Sequence, residues 1–184
     1  DEKYTLSHIG SMLSERNPVI LWQVLAEIIR EVDGFAEDFE LKLIGTVAHD
    51  ILVTIRSYDL HKHLNLMGYV PHRGAVKHQK QSQVLLLVKI NSVETKSIIP
   101  GKVFEYMVSG RPIIGIGPTG SDFAEILEET NTGVFIDYSE KEKLKQTILD
   151  YYSQYKSGNL VVDSSGTGQY SRKNLTARLA EILQ

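Results

Sequence analysis

Short aliphatic runs with strand spacing alternate along this chain with segments whose apolar positions recur every three or four residues. Tyr4–Ile9 has a strand pattern, ended by Gly10 and Ser11. Residues 17–32 place Ile20, Val24, Leu25, Ile28 and Val32 at helical spacing, with Asn17 as the expected N-cap and Pro18 in the first helical position. Strands are predicted at 39–46 and 64–69, each followed by a helix, at 49–58 and 71–81. Residues 84–90 are almost continuously aliphatic, as expected of a strand covered on both faces. A polar loop at 91–100 leads to a helix at 101–109, stopped by Gly110. A fifth strand at 111–116, a helix over Asp122–Thr130 and a sixth strand over Gly133–Asp137 follow. Residues 139–155 form a long amphipathic helix, with Ser139 as its expected N-cap and Glu142 at the capping-box position. A Gly/Ser-rich connector at 156–168 precedes a last helix at 169–183.

Strand–helix alternation repeated in this way predicts one α/β domain over residues 1–184, Rossmann-like and three-layered, with a mostly parallel six-stranded sheet. The expected strand order is 3-2-1-4-5-6, with right-handed crossovers placing helices on both faces. Ligands of such sheets bind outside the carboxyl ends of the strands. The loops at 10–17, 70–72, 91–101 and 115–121 are therefore the places to look for chemistry.

Composition narrows the picture. Hydrophobic residues make up 42% and charged residues 23% of the 184, which excludes a disordered, collagen-like or disulfide-scaffold protein. The net charge of −3 offers no basic excess to hold a nucleic-acid backbone. Cysteine is absent, so disulfides and cysteine-dependent metal sites or catalysis are excluded. No apolar run is long enough to span a bilayer, and the start has no signal-peptide pattern. The chain opens Asp1-Glu2-Lys3 without an initiator Met, so it is expected to be a piece of a longer protein.

The densest local signal is Pro100-Gly101-Lys102-Val103-Phe104-Glu105-Tyr106-Met107-Val108-Ser109-Gly110-Arg111-Pro112. It feeds a helix whose first-turn N–H groups favour an anion, and Lys102 adds positive charge there. Glu105, one turn on, is placed to accept hydrogen bonds from vicinal hydroxyls such as a ribose diol. On spacing alone, an i,i+3 Lys–Glu surface pair worth about 0.2–0.5 kcal/mol is an equal reading.

This stretch resembles the "P-x-K-x-x-E-Y-x-x-x-G-x-P" segment of nucleotide-sugar glycosyltransferases with the GT-B fold, particularly the retaining family 4, or group 1. Glu125-Ile126-Leu127 with Thr132-Gly133-Val134, Gly68-Tyr69-Val70, Leu43-Ile44-Gly45 and Ile9-Gly10-Ser11 are similar to further family segments, in the same order. The resemblance implies the C-terminal, donor-binding half of such an enzyme, with the N-terminal acceptor-binding domain absent from this chain. It implies a nucleoside diphosphate sugar as donor, a hydroxyl acceptor on a glycan or lipid-linked saccharide, retention of configuration, and no cofactor or metal. Activity is expected to need the missing half. The expected location is cytoplasmic, peripheral to a membrane through the full-length protein. Glu105 would bind the ribose hydroxyls, the backbone at Gly101 and Lys102 the diphosphate, and Tyr69 and Val70 would lie against the base. Where the family has a diphosphate-binding Arg, this chain has Ser11, which leaves Arg16 to do that work. Where the family has a second Glu near the sugar, this chain has Ser97, with Glu94 as the nearby substitute. A sugar-nucleotide epimerase of the same architecture, or a non-catalytic nucleotide- or partner-binding module, are the alternatives.

Gly115-Ile116-Gly117-Pro118-Thr119-Gly120 matches G-x-G-x-x-G, with Asp137 at the end of the next strand. It follows the fifth strand rather than the first of its unit, and Pro118 removes an N–H from the loop. A glycine-rich turn at a crowded strand end is therefore preferred over NAD binding, with a phosphate or sugar contact from 117–120 left open. His61, His63 and His72 lack a clustered carboxylate and read as surface residues, His8 as a half-buried structural one. Tyr151, Tyr152 and Tyr155 lie at helical spacing and read as packing residues.

Overall fold

The computed structural model describes residues 2–162 and 165–182. Asp1, the middle of the expected connector and Leu183 of the expected last helix lie outside them. The strands are β1 (Tyr4–Ile9), β2 (Phe39–Ile44), β3 (Leu64–Gly68), β4 (Val84–Val88), β5 (Ile113–Gly117) and β6 (Gly133–Asp137). The helices are α1 (Val19–Glu31), α2 (Phe35–Asp38), α3 (His49–Ser57), α4 (His72–Gln81), α5 (Lys102–Val108), α6 (Asp122–Thr130), α7 (Lys141–Lys156) and α8 (Arg172–Ile182). The sheet has six strands in the order β3-β2-β1-β4-β5-β6, and every pairing in it is parallel. Class, strand order and Rossmann-like layering are as the sequence predicts.

Strand periodicity divides the core into two halves. On one face, Leu6 of β1, Leu41 and Leu43 of β2 and Leu86 of β4 pack with Leu25 and Ile28 of α1, Ile55 of α3 and Ile148 of α7. On the other, Ile9, Ile44, Leu85 and Leu87 pack with Val103 and Met107 of α5 and Phe123 and Leu127 of α6. The unbroken aliphatic run of β4 is needed because successive side chains enter opposite cores.

Two helix starts differ from expectation. Pro18, not Asn17, is the N-cap of α1, and no side chain caps that end. Asn17 instead accepts from Trp22 Nε1 at 2.7 Å and donates to Thr54 Oγ1 at 3.1 Å, joining α1 to α3. Helix α7 starts after Glu140 rather than at Ser139. Asp137 accepts from the Ser139 N–H and hydroxyl, while Glu140 accepts from the Asp137 N–H at 2.8 Å. A related exchange thus stands two residues upstream, at Asp137 and Glu140 instead of Ser139 and Glu142.

Helix α7 docks on α1 through Lys141 and Lys145, both paired with Glu27, and on α2 through Lys156 and Asp38. Its Tyr152 and Tyr155 join Tyr4, Phe35 and Phe39 in an aromatic cluster, confirming their packing role. Beyond α7 the chain returns to the opposite face, where Tyr170 lies against Phe104 of α5 and donates to Glu129 of α6. Among the described residues, no helix is long and apolar enough to cross a membrane.

Candidate functional site

The neighbouring carboxyl ends of β1 and β4 deliver two loops to one place. The first carries Ser11 and Arg16; the second runs into α5 with Gly101 and Lys102. Between them is a cavity of about 230 Å³, whose polar wall is His8, Arg16, Lys89, Thr95 and Lys102.

The approach of these loops depends on two glycines. Gly10 and Gly45 both have φ of +123°, a conformation that side chains rarely adopt. A Cβ on Gly45 would stand 2.6 Å from the Gly10 carbonyl oxygen, and one on Gly10 would stand 1.8 Å from Lys102 Nζ. Tyr106 fixes α5 against this loop. Its buried hydroxyl accepts from the Ile9 N–H at 3.0 Å and donates to the Ile9 carbonyl at 3.3 Å. Burial raises its pKa well beyond the usual range, so the proton stays on the phenol.

Lys102 is held below its ordinary pKa, by burial first and by the Arg16 charge second, with Glu105 pulling the other way. Arg16 donates to the Ser11 carbonyl at 3.4 Å. Neither cation is ion-paired with a described carboxylate. Two neighbouring positive charges left uncompensated in a recess attract an anion. The sequence assigned part of that attraction to the helix start. However, α5 is seven residues long and its Val103 N–H already bonds the Pro100 carbonyl, so the side chains supply the charge.

His8 and Lys89 also face this cavity. Lys89 is 4% exposed and donates to the Lys96 carbonyl at 2.9 Å, with its ammonium 5.4 Å from the Phe123 ring centroid. Burial lowers its pKa, and Asp122 partly opposes this. His8 is 2% exposed, not half-buried as expected. Its Nδ1 lies 3.1 Å from the Leu86 carbonyl, an acceptor only, so Nδ1 carries the proton and Nε2 the lone pair. Nε2 has no hydrogen-bond partner. Burial and then the Lys102 charge lower the His8 pKa to about 4, against the pull of the Leu86 and Ser11 carbonyls. Sequence reasoning missed both residues, because an apolar strand gives no sign that its last polar side chains enter a recess.

Glu105 lies on another wall of α5 and lines a separate cavity of about 340 Å³ with His72, Gln79 and Phe104. Buried Gln79 donates to its Oε2 at 3.1 Å. The surface pair with Lys102 does not form. Val70 packs against the core beneath α4, whereas Tyr69 is 85% exposed. Ser11 is exposed and engages Arg16 through its carbonyl. Gly101 has open space where a Cβ would be, so nothing steric requires glycine there. Glu94 is exposed, bonded by the Ser92 hydroxyl, and does not line the cavity; Ser97 is exposed nearby. The structure therefore unites Arg16, Gly101 and Lys102, places Glu105 next door, and leaves Glu94 outside.

The glycines of β5, Gly115 and Gly117, serve packing. A Cβ on Gly115 would come within 2.6 Å of the Phe123 ring, and Thr119 donates to Asp137 at 2.5 Å. Burial pushes the Asp137 carboxyl up, but bonds from Ser139 and Thr119 prevail and hold it at about 2. Asp137 is thus engaged within the fold, where a dinucleotide fingerprint needs it for a ribose. His61 is exposed, as is His72; His63 is half-buried against Phe39. No three His, Asp or Glu among the described residues are grouped to hold a metal.

Comparison with solved structures agrees with this architecture. WaaG, a glycosyltransferase involved in lipopolysaccharide biosynthesis, superposes with a TM-score of 0.71 at 12% identity, over 99% of this chain and 47% of that one. Anabaena HepE in complex with UDP-glucose gives 0.68 at 15% identity, over 98% and 48%. The C-terminal domain of a group 1 glycosyl transferase, LpcC from Francisella tularensis, gives 0.66 at 11% identity, over 92% and 86%. The chain thus spans about half the length of WaaG and HepE and nearly all of the isolated LpcC domain. No curated protein matches in sequence. The family profile described as Glycosyl transferases group 1 matches residues 3–154, which favours the transferase reading over the epimerase one. The chain belongs to the group 1 glycosyl transferases.

Proposed function

We propose that this chain is the donor-binding half of a glycosyltransferase that moves a sugar from a nucleoside diphosphate to a hydroxyl of a glycan or lipid-linked saccharide. The observation that carries the reading is the pair of uncompensated cations, Arg16 and Lys102, meeting in one cavity at the carboxyl edge of the sheet. The diphosphate lies between them, over the Gly10 loop. The ribose diol bonds Glu105, and the base lies along Tyr69 and Val70. UDP is the first nucleotide to test, because HepE has been solved with UDP-glucose.

The acceptor-binding half belongs to a separate N-terminal domain, and transfer takes place between the two. Retention of configuration without a metal, and a cytoplasmic enzyme touching the membrane through its other half, complete the reading. Glu94 in its present place, turned to Ser92 and away from the cavity, is a candidate sugar contact only if the loop at 91–100 rearranges.

A thermal-stability scan against nucleoside diphosphates, nucleosides and sugar nucleotides tests this reading. Diphosphates and their sugar conjugates should raise the melting temperature, and nucleosides should raise it much less. No response to any phosphorylated compound would refute it.

A further inference from the structure

His8 has no place in the expected site, yet it is the most confined polar side chain facing the cavity. It is 2% exposed, its Nδ1–H is committed to the Leu86 carbonyl, and its Nε2 lone pair has no donor. A buried acceptor without a partner has a cost, commonly about 1–3 kcal/mol, unless a ligand or a proton completes it.

The charges facing the ring are of one sign. Arg16 approaches from the loop after β1, Lys89 from the end of β4 and Lys102 from α5, and no described carboxylate lines the cavity. Glu105 and Asp122 act on Lys102 and Lys89 from outside it. An empty cavity therefore repels a proton from His8. A bound diphosphate reverses that field, because it brings negative charge into a cavity that no described carboxylate lines.

We propose that His8 is a member of the anion site, taking a proton from solvent onto Nε2 when a diphosphate enters and donating the new N–H to a phosphate oxygen. The inference rests on the donor-binding reading above. Burial and the two neighbouring cations keep the free ring neutral, with a pKa of about 4, so at neutral pH the proton arrives with the ligand. The ring's tautomer is already fixed by Leu86 for this task, since only Nε2 can accept.

Nitrogen-15 NMR of the histidine ring in the 184-residue chain, free and saturated with UDP near pH 6, reads the event without a mutation. The free ring should show one protonated and one unprotonated nitrogen. With UDP both should shift to the imidazolium position, and uridine should leave them unchanged. Calorimetry alongside should show UDP affinity rising about tenfold more between pH 8 and pH 6 in the wild type than in His8→Gln. UDP binding with a ring that stays neutral would overturn the role of His8 while sparing the donor site. Absence of UDP binding in the calorimeter would overturn both.

Discussion

Lys102 extends its ammonium into the space that a side chain on Gly10 would occupy. One residue opens the loop after β1 and the other begins α5, so the contact holds the two loops together beside the cavity. Gly10→Ala should therefore do two separable things. The positive φ imposes strain of about 1–3 kcal/mol, read as a lower melting temperature. The displaced lysine should also weaken UDP binding. In a Lys102→Ala background, Gly10→Ala should keep its stability cost and lose its effect on binding.

Glu105 separates ribose recognition from scaffolding. It is exposed and held by Gln79 rather than by Lys102, so nothing in its surroundings needs the charge for stability. Binding of ribonucleotides should weaken in the order wild type, Glu105→Gln, Glu105→Ala. Stability should change by less than about 0.5 kcal/mol in Glu105→Gln, which keeps an acceptor for Gln79. It should fall by about 1–3 kcal/mol in Glu105→Ala, which leaves the buried Gln79 amide unpaired. The preference for ribose over 2′-deoxyribose, measured by calorimetry, should fall in both variants. Equal binding by wild type and Glu105→Ala would remove the ribose role.

The fold was legible because hydrophobic spacing encodes it directly. The VLLLV run of β4 needs two covered faces, and Ile20, Val24, Leu25 and Ile28 need one. Helix ends were less legible, because Asn17 and Ser139 have side chains suited to capping that the structure uses for Trp22 and Asp137 instead. The convergence of Arg16 and Lys102 on one cavity was legible through loop position. The partition between their cavity and that of Glu105 was not, because the direction of a side chain around a seven-residue helix depends on how Tyr106 docks it. His8 gave no sequence signal, since a polar residue in a strand is compatible with either face of a sheet.

Acid stability should carry the signature of His8. Its unfolded pKa is about 6.5 and its folded pKa about 4, so the unfolded chain takes up its proton first as pH falls. Stability is then lost between about pH 6.5 and 4 and levels off below. The full loss is roughly 3 kcal/mol for a group this buried. Denaturant titrations across that range should show the decline in the wild type and a flatter profile in His8→Gln.

Asp137 acts lower on the pH scale. Its folded pKa of about 2 lies below the unfolded value, so its contribution is complete above about pH 4 and lost as pH falls towards 2. Asp137→Asn should lower stability at neutral pH and flatten the acid limb of the melting curve. Thr119→Val should do the same to a smaller extent, because Ser139 remains a partner.

The most direct measurement is a calorimetric titration of UDP into the wild type, Arg16→Ala and Lys102→Ala, with the melting temperature of each free protein. Each variant removes one of two mutually repelling, unpaired cations, so the free proteins should be as stable as the wild type or more so. Each should lose about 1.5–3 kcal/mol of UDP binding, roughly tenfold to a hundredfold in affinity. Undiminished UDP affinity in both variants would contradict the assignment of this cavity as the diphosphate site.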